Sequence, residues 1–76
     1  MRHVDHRDPE PLYLQLAGIL REEIESGRLA KDAPVPSESY LVGEHGVSRV
    51  TARRAVAILR EMGLVYTLPQ RGTYVR

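Results

Sequence analysis

The stretch GVSRVTARRAV, Gly46 to Val56, decides how the rest of the chain is read. It sets Arg49, Arg53 and Arg54 among valines and alanines, directly behind a glycine and a serine. Ser48 stands three residues before Thr51, where a helix N-cap belongs, and the helix it opens is expected to run to Met62 with Gly63 as its stop. Ala52, Ala55, Leu59 and Met62 then form one apolar stripe with Ile58 at its border. At about 100° per residue from Arg49, the stripe centres near about 240°, while Arg60, Arg53 and Arg54 fall at about 20°, 40° and 140°. All four arginines share the outward arc. A solvated face is the default reading of such a cluster, but Val50 and Ala57 lie on the same arc, and a purely solvated face has little use for them. They favour a contact surface.

Upstream of this helix, Ser37 follows Pro36 as a second N-cap, with Glu38 at the positive end of the helix dipole. The brief helix Glu38 to His45 ends at Gly46, the residue that best tolerates the left-handed conformation. Further back, Pro9 and Pro11 suit a helix start, and Leu12, Leu16, Ile19, Leu20 and Ile24 recur at helical spacing before Gly27. That predicts a core helix of about five turns, with Arg21, Glu22, Glu23 and Glu25 turned mostly away from the core. The connector GRLAKDAPVPSE holds Pro34 and Pro36, which block helix, and Val35 is a candidate for a short strand. Downstream, LVYTL and TYVR flank PQRG, in which Pro69 and Gly72 supply a turn, so the chain closes on a hairpin.

Size and composition narrow the class. Seventy-six residues make one domain near the lower limit for folding alone, without space for a second, ligand-sensing domain or a small-molecule effector site. Hydrophobic residues at 42% and charged residues at 28% suffice for one small core. Cys is absent, which excludes disulfides, thiolate nucleophiles and Cys-based zinc sites and fits a cytoplasmic, nucleoid-associated location. No apolar run approaches the roughly 20 residues of a membrane span, and the polar start MRHVDHRDPEP is no signal peptide. Residues 1 to 36 carry five basic and seven acidic side chains, and residues 37 to 76 carry six and three, so a charge of −2 is followed by +3. Basic charge gathered in one half points to a polyanion partner.

Other chemistries find little support. His3, His6 and His45 lack the spacing of a metal site, and neither metal nor cofactor is expected. There are no paired carboxylates, no Ser-His-Asp set and no glycine-rich phosphate loop, so an enzyme is not expected. Tyr13, Tyr40, Tyr66 and Tyr74 are spaced as core or edge residues rather than as a stacking platform for single strands.

A short helix, a glycine turn and a longer helix with arginines in its first turns form the layout of a helix-turn-helix, with the second helix in the major groove. Val42 lies where the two helices approach, Val47 plugs the turn, and Ala52 and Ala55 keep the inner face thin. Arg49, Val50, Arg53, Arg54 and the exposed side of Thr51 then face the groove. Ser48 and the helix N-terminal amides are suited to a phosphate, and the wing tip at Gln70, Arg71 and Gly72 to a minor groove or phosphate.

The chain resembles the winged-helix DNA-binding domain of the GntR family of bacterial transcription regulators. The resemblance covers Pro11 to Val75 through PLYLQL, a helix ending ESGRL, the VPSE cap, GVSRVTARRAV, LREMGLV and RGTYV. It implies a mainly α fold with a small β-hairpin (α+β), a winged helix-turn-helix of three helices and a two-stranded wing over residues 11–76; the polar residues 1–10 before it are expected to form a flexible N-terminal arm. It also implies binding to a double-stranded DNA operator as a homodimer, with the monomer as a possible solution state, and most simply repression. By position, Ser48, Arg49, Val50, Thr51, Arg53 and Arg54 fall in the recognition helix, Gln70, Arg71, Gly72 and Thr73 in the wing, and Ser37 and Ser39 beside a phosphate. The competing class is a winged helix that serves protein assembly.

The family pattern is departed from at four places. It has Pro-Gly where Lys31 and Asp32 stand, Arg at Ser39, an acidic residue at Tyr40 and an apolar residue at His45. The first three remove a turn glycine, a DNA contact and a capping box; His45 implies a modest stability cost or an unseen partner.

Overall fold

The computed structural model describes all 76 residues. Three helices, α1 (Leu12–Glu25), α2 (Glu38–His45) and α3 (Arg49–Glu61), precede two strands, β1 (Val65–Leu68) and β2 (Gly72–Val75). This is the winged helix-turn-helix that the sequence predicts. No helix is long and apolar enough to cross a membrane.

Each helix boundary has a local cause. The carbonyl of Pro11 accepts the amides of Leu14 and Gln15, both at 3.1 Å, and starts α1 without a side-chain cap. That helix stops at Ser26, about four turns long rather than five, because Gly27 takes φ +83°. Ser37 and Ser48 both cap as expected, accepting the amides of Tyr40 and Thr51 at 3.0 Å. Between them Gly46 is left-handed (φ 65°, ψ 37°) and donates its amide to the Val42 carbonyl at 2.9 Å. This single residue turns α2 into α3.

Leu16 and Leu20 of α1, Leu41 of α2, Leu59 of α3 and Val65 of β1 are fully buried. Side chains of this size stabilise the fold by about 1.5 to 3 kcal/mol each on burial. Ala52 and Ala55 have no exposure at all, and their small side chains let α3 lie close against the other two helices. The α3 stripe is rotated from the expected one: Val56 is buried with Ala52, Ala55 and Leu59, whereas Met62 is 46% exposed beyond the last turn. Val47 is buried in the turn. Glu23, expected to face away, is also buried, because its carboxylate meets Arg28 Nε at 2.6 Å.

The strands pair antiparallel in the register Val65↔Val75 to Leu68↔Gly72. Arg71 donates its amide to the Leu68 carbonyl at 3.0 Å, with Pro69 and then Gln70 (φ +63°) in the middle of the turn. Positive φ at that third position is what a type II turn demands. Residues 32–35 run along the outer edge of β2: Asp32 and Val35 donate to the carbonyls of Val75 and Thr73, and Val75 donates to Ala33. Only one bridge forms, Pro34 with Tyr74, since Pro34 and Pro36 have no amide to extend the expected strand at Val35. Asp32 occupies a glycine-like φ of +65°, and its carboxylate accepts the Tyr66 hydroxyl at 2.8 Å.

The first ten residues are not the free arm that composition suggests. Val4 is 9% exposed and belongs to the core, and its amide donates to His45 Nδ1 at 3.3 Å. His6 Nε2 meets the His45 carbonyl at 3.0 Å, His3 Nε2 meets Glu44 at 2.6 Å, and the His3 and His45 rings lie 5.2 Å apart. His45 therefore fills its apolar slot by gathering the N-terminal segment around it. Acceptance at Nδ1 puts the ring proton on Nε2, which is buried with no partner.

Candidate nucleic-acid interface

The first turn of α3 projects from the turn at Gly46 beside the first turn of α2, and the arginines of α3 are dealt to different neighbours. Arg49 reaches back to α2, donating from Nη2 to Ser39 Oγ at 3.1 Å. Arg53, one turn later, points the same way: its Nε and Nη2 donate to the two carboxylate oxygens of Glu38, each at 3.2 Å. The Arg53 hydrogen bond holds the Glu38 carboxyl below the usual carboxylate range, its charge and that of Arg49 adding to the effect against the opposing influence of burial. Glu38 raises Arg53 in return, first through the hydrogen bond and then through its charge.

Arg54 turns the opposite way. Its guanidinium lies 3.8 Å above the Tyr13 ring in α1, a cation–π contact. Arg60, expected to meet solvent or the neighbourhood of Glu61, instead donates to Thr67 Oγ1 of β1 at 3.1 Å. The outward arc is thus divided: Arg49 and Arg53 turn to α2, Arg54 to α1 and Arg60 to the wing.

Val50 is 60% exposed beside these arginines, an apolar patch left open in the first turn of α3. Thr51 is half-buried, and Ser48 Oγ both accepts its amide and donates to its hydroxyl at 3.1 Å. The Ser48 hydroxyl proton is therefore engaged within the cap. Ser37 and Ser39 sit together in the first turn of α2, as expected, but Ser39 faces Arg49.

The wing is braced from both strands. Tyr74 donates its hydroxyl to the Arg71 carbonyl at 2.9 Å, Thr67 and Thr73 share a hydrogen bond at 3.0 Å, and Tyr66 stacks on Tyr74 with centroids 5.8 Å apart. Gln70, Arg71 and Gly72 are exposed at the tip, and Thr73 is half-buried at its base. Between wing, α3 and the loop before α2 runs a groove of about 360 Å³ whose lining includes Arg53, Arg60 and Arg71 with Glu38. Arg53 and Arg60 of α3 and Arg71 of the wing thus face one concavity.

Three participants were not legible in the sequence: Glu38 as the partner of Arg53, Tyr13 as the platform of Arg54, and Thr67 as the acceptor for Arg60. Glu38 lies 15 residues from Arg53 and Tyr13 further still, so no helical spacing links them. The histidines were also unlinked by spacing. The fold draws them together, although no three His, Asp or Glu side chains are grouped as a metal site.

Comparison with known proteins fits this geometry. The sequence model described as bacterial regulatory proteins, gntR family, matches residues 12–75. The chain is 38% identical over 73 residues to the HTH-type transcriptional repressor NagR of Bacillus subtilis (strain 168), covering 96% of this chain and 30% of that protein. It is 43% identical over 67 residues to the mannosyl-D-glycerate transport/metabolism system repressor MngR of Escherichia coli (strain K12), covering 88% and 28%. It therefore spans less than a third of the length of these relatives. Among solved structures, AraR(DBD) in complex with operator ORX1 superposes with a TM-score of 0.90 at 30% identity, over 100% of this chain and 96% of that one. With the match spanning every helix and the wing, the chain belongs to the GntR family of bacterial regulatory proteins.

Proposed function

We propose that this chain is a sequence-specific reader of double-stranded DNA in a bacterial transcription regulator, a repressor that occupies a pseudo-palindromic operator as a dimer in the cytoplasm. The observation that carries the proposal is the shared concavity of α3 and the wing, lined by Arg53, Arg60 and Arg71, with Glu38 paired to Arg53. A helix and a hairpin that share one cationic concavity suit a duplex edge, with α3 in the major groove and the wing alongside. The operator complex of AraR(DBD) and the repressor names of NagR and MngR support the same reading.

In this reading Arg49 and Arg53 take base edges or the nearest phosphates, Val50 and Thr51 supply apolar contact, and Ser48, its hydroxyl engaged in the cap, holds the first α3 amides against a phosphate. Gln70, Arg71, Gly72 and Thr73 approach the minor groove or backbone, and Ser37 flanks a phosphate. Arg54, drawn toward Tyr13, frames the helix rather than reads. Dimerisation on adjacent half-sites offsets weak self-association, because the second subunit binds beside the first.

Selection from random duplexes with the purified chain, at two salt concentrations, tests the proposal. The expected result is enrichment of a half-site repeated about one helical turn apart, with a log–log salt slope of roughly −0.9 for each phosphate that a subunit neutralises. Absence of any enriched sequence would instead favour a protein-assembly role.

A further inference from the structure

Two adjacent residues in the first turn of α2 each hold one reading arginine. Glu38 takes Arg53 by its Nε and Nη2 donors at 3.2 Å, and Ser39 takes Arg49 by Nη2 at 3.1 Å. A guanidinium carries five N–H groups in one plane. The carboxylate of Glu38 occupies the side edge of Arg53, which leaves both protons of Nη1 and the second proton of Nη2. Those remaining protons form the end edge, which is the fork that fits guanine O6 and N7.

The Arg53 side chain is 64% exposed and that of Glu38 36%, so the pair adds little to folding. Its consequence is for the geometry of the guanidinium. An unheld arginine must lose its rotamer freedom on binding, whereas one held by two hydrogen bonds has already lost much of it. The carboxylate has a second effect: it stands in a groove lined by cations and repels phosphates, weakening every DNA complex alike. A negative charge so placed lowers affinity for random DNA while fixing the arginine that tells one duplex from another.

We infer that Glu38 and Ser39 are positioning residues for sequence discrimination, Glu38 setting the reading edge of Arg53 and Ser39 that of Arg49. This rests on the DNA-binding reading above and adds to it the source of selectivity.

The test measures dissociation constants on the selected duplex and on a scrambled duplex, at several salt concentrations, for the unmodified chain, Glu38→Gln and Ser39→Ala, with a thermal melt of each. Glu38→Gln is expected to bind the scrambled duplex more tightly while its selected-to-scrambled ratio falls about two- to tenfold, the equivalent of ordering one rotamer-rich side chain. Ser39→Ala, which changes no charge, is expected to lower the ratio without tightening the scrambled complex. A variant that merely damages the fold weakens both duplexes alike and melts earlier, so a fall in the ratio with the melt unchanged separates positioning from structure. Should Glu38→Gln fail to fold, Ser39→Ala carries the test for Arg49. If the unmodified chain discriminates but neither variant alters the ratio, the inference is wrong and the DNA-binding reading stands. If the unmodified chain shows no selected duplex, both are wrong.

Discussion

Acidification should destabilise this domain through His45, and the limit of the effect follows from where the ring sits. His45 is 4% exposed, and burial depresses its pKa from the ordinary 6.5, with the neighbouring His3 next in effect, Glu44 opposing and the N-terminal charge adding. His6 also faces this residue, through its carbonyl. A proton added to His45 would point Nδ1–H at the Val4 amide, abolishing the 3.3 Å bond that ties the N-terminal segment down. Below pH 6.5 the unfolded imidazole holds a proton that the folded one refuses. Stability from this group is therefore complete above that pH and is lost as the pH falls, until the folded ring itself titrates.

The limiting slope is about 1.4 kcal/mol per pH unit, so between about pH 7.5 and 5.5 the loss is at most about 1.4 kcal/mol. For a domain this small that is at most about 6 to 11 °C in Tm. Circular dichroism melts at the two pH values, for the unmodified chain and for His45→Leu, measure it. Leucine removes the unpartnered Nε2 but strands the Val4 amide, so its Tm at neutral pH is not the readout; the difference between the two pH values is. The unmodified chain should lose more on acidification than His45→Leu, since every other carboxyl and imidazole is common to both. Equal losses would refute the reasoning.

Arg49→Ala should lower affinity for the selected duplex by about 1 to 3 kcal/mol and relax preference at one base pair; if selected and random duplexes weaken equally in a gel-shift titration, Arg49 meets a phosphate. Arg71→Ala should weaken binding while leaving the melt nearly unchanged, because its side chain is exposed at the wing tip; unchanged affinity would remove the wing from the interface. Asp32→Ala puts a residue less tolerant of positive φ at +65° and deletes the Tyr66 acceptor, so Tm should drop by about 4 to 8 °C for a backbone cost of about 1 kcal/mol, and Asp32→Gly should recover the backbone part. Identical melts for the two variants would show that backbone strain is not the cause.

Much of this domain was legible before any coordinates. Ser37, Gly46, Ser48 and Gly63 punctuate the chain with interactions completed within a few residues, and the leucines of α1 repeat with the period of the helix they form. The turn at PQRG is equally local, although Gln70 as well as Gly72 takes a positive φ within it. Local patterns miss a residue's surroundings where these lie outside its own helix or turn. Val4 and the histidines looked like a free arm because their partners, Glu44 and His45, are about 40 residues away. Glu23 looked solvated because Arg28 lies past the helix end, and Met62 looked buried because α3 stops before its turn is complete.

The same division holds for the candidate interface. The sequence by itself determined that a capped, amphipathic helix would carry Arg49, Arg53, Arg54 and Arg60 outward, since caps and helical periodicity are set by neighbours in the chain. Only the tertiary structure decided what each arginine does there. The long guanidinium arms settle on whichever acceptor or ring the packing of α1, α2 and the wing brings within reach: Ser39 for Arg49, Glu38 for Arg53, Tyr13 for Arg54 and Thr67 for Arg60. No periodicity encodes these partnerships, because they form between elements whose approach is fixed by the core.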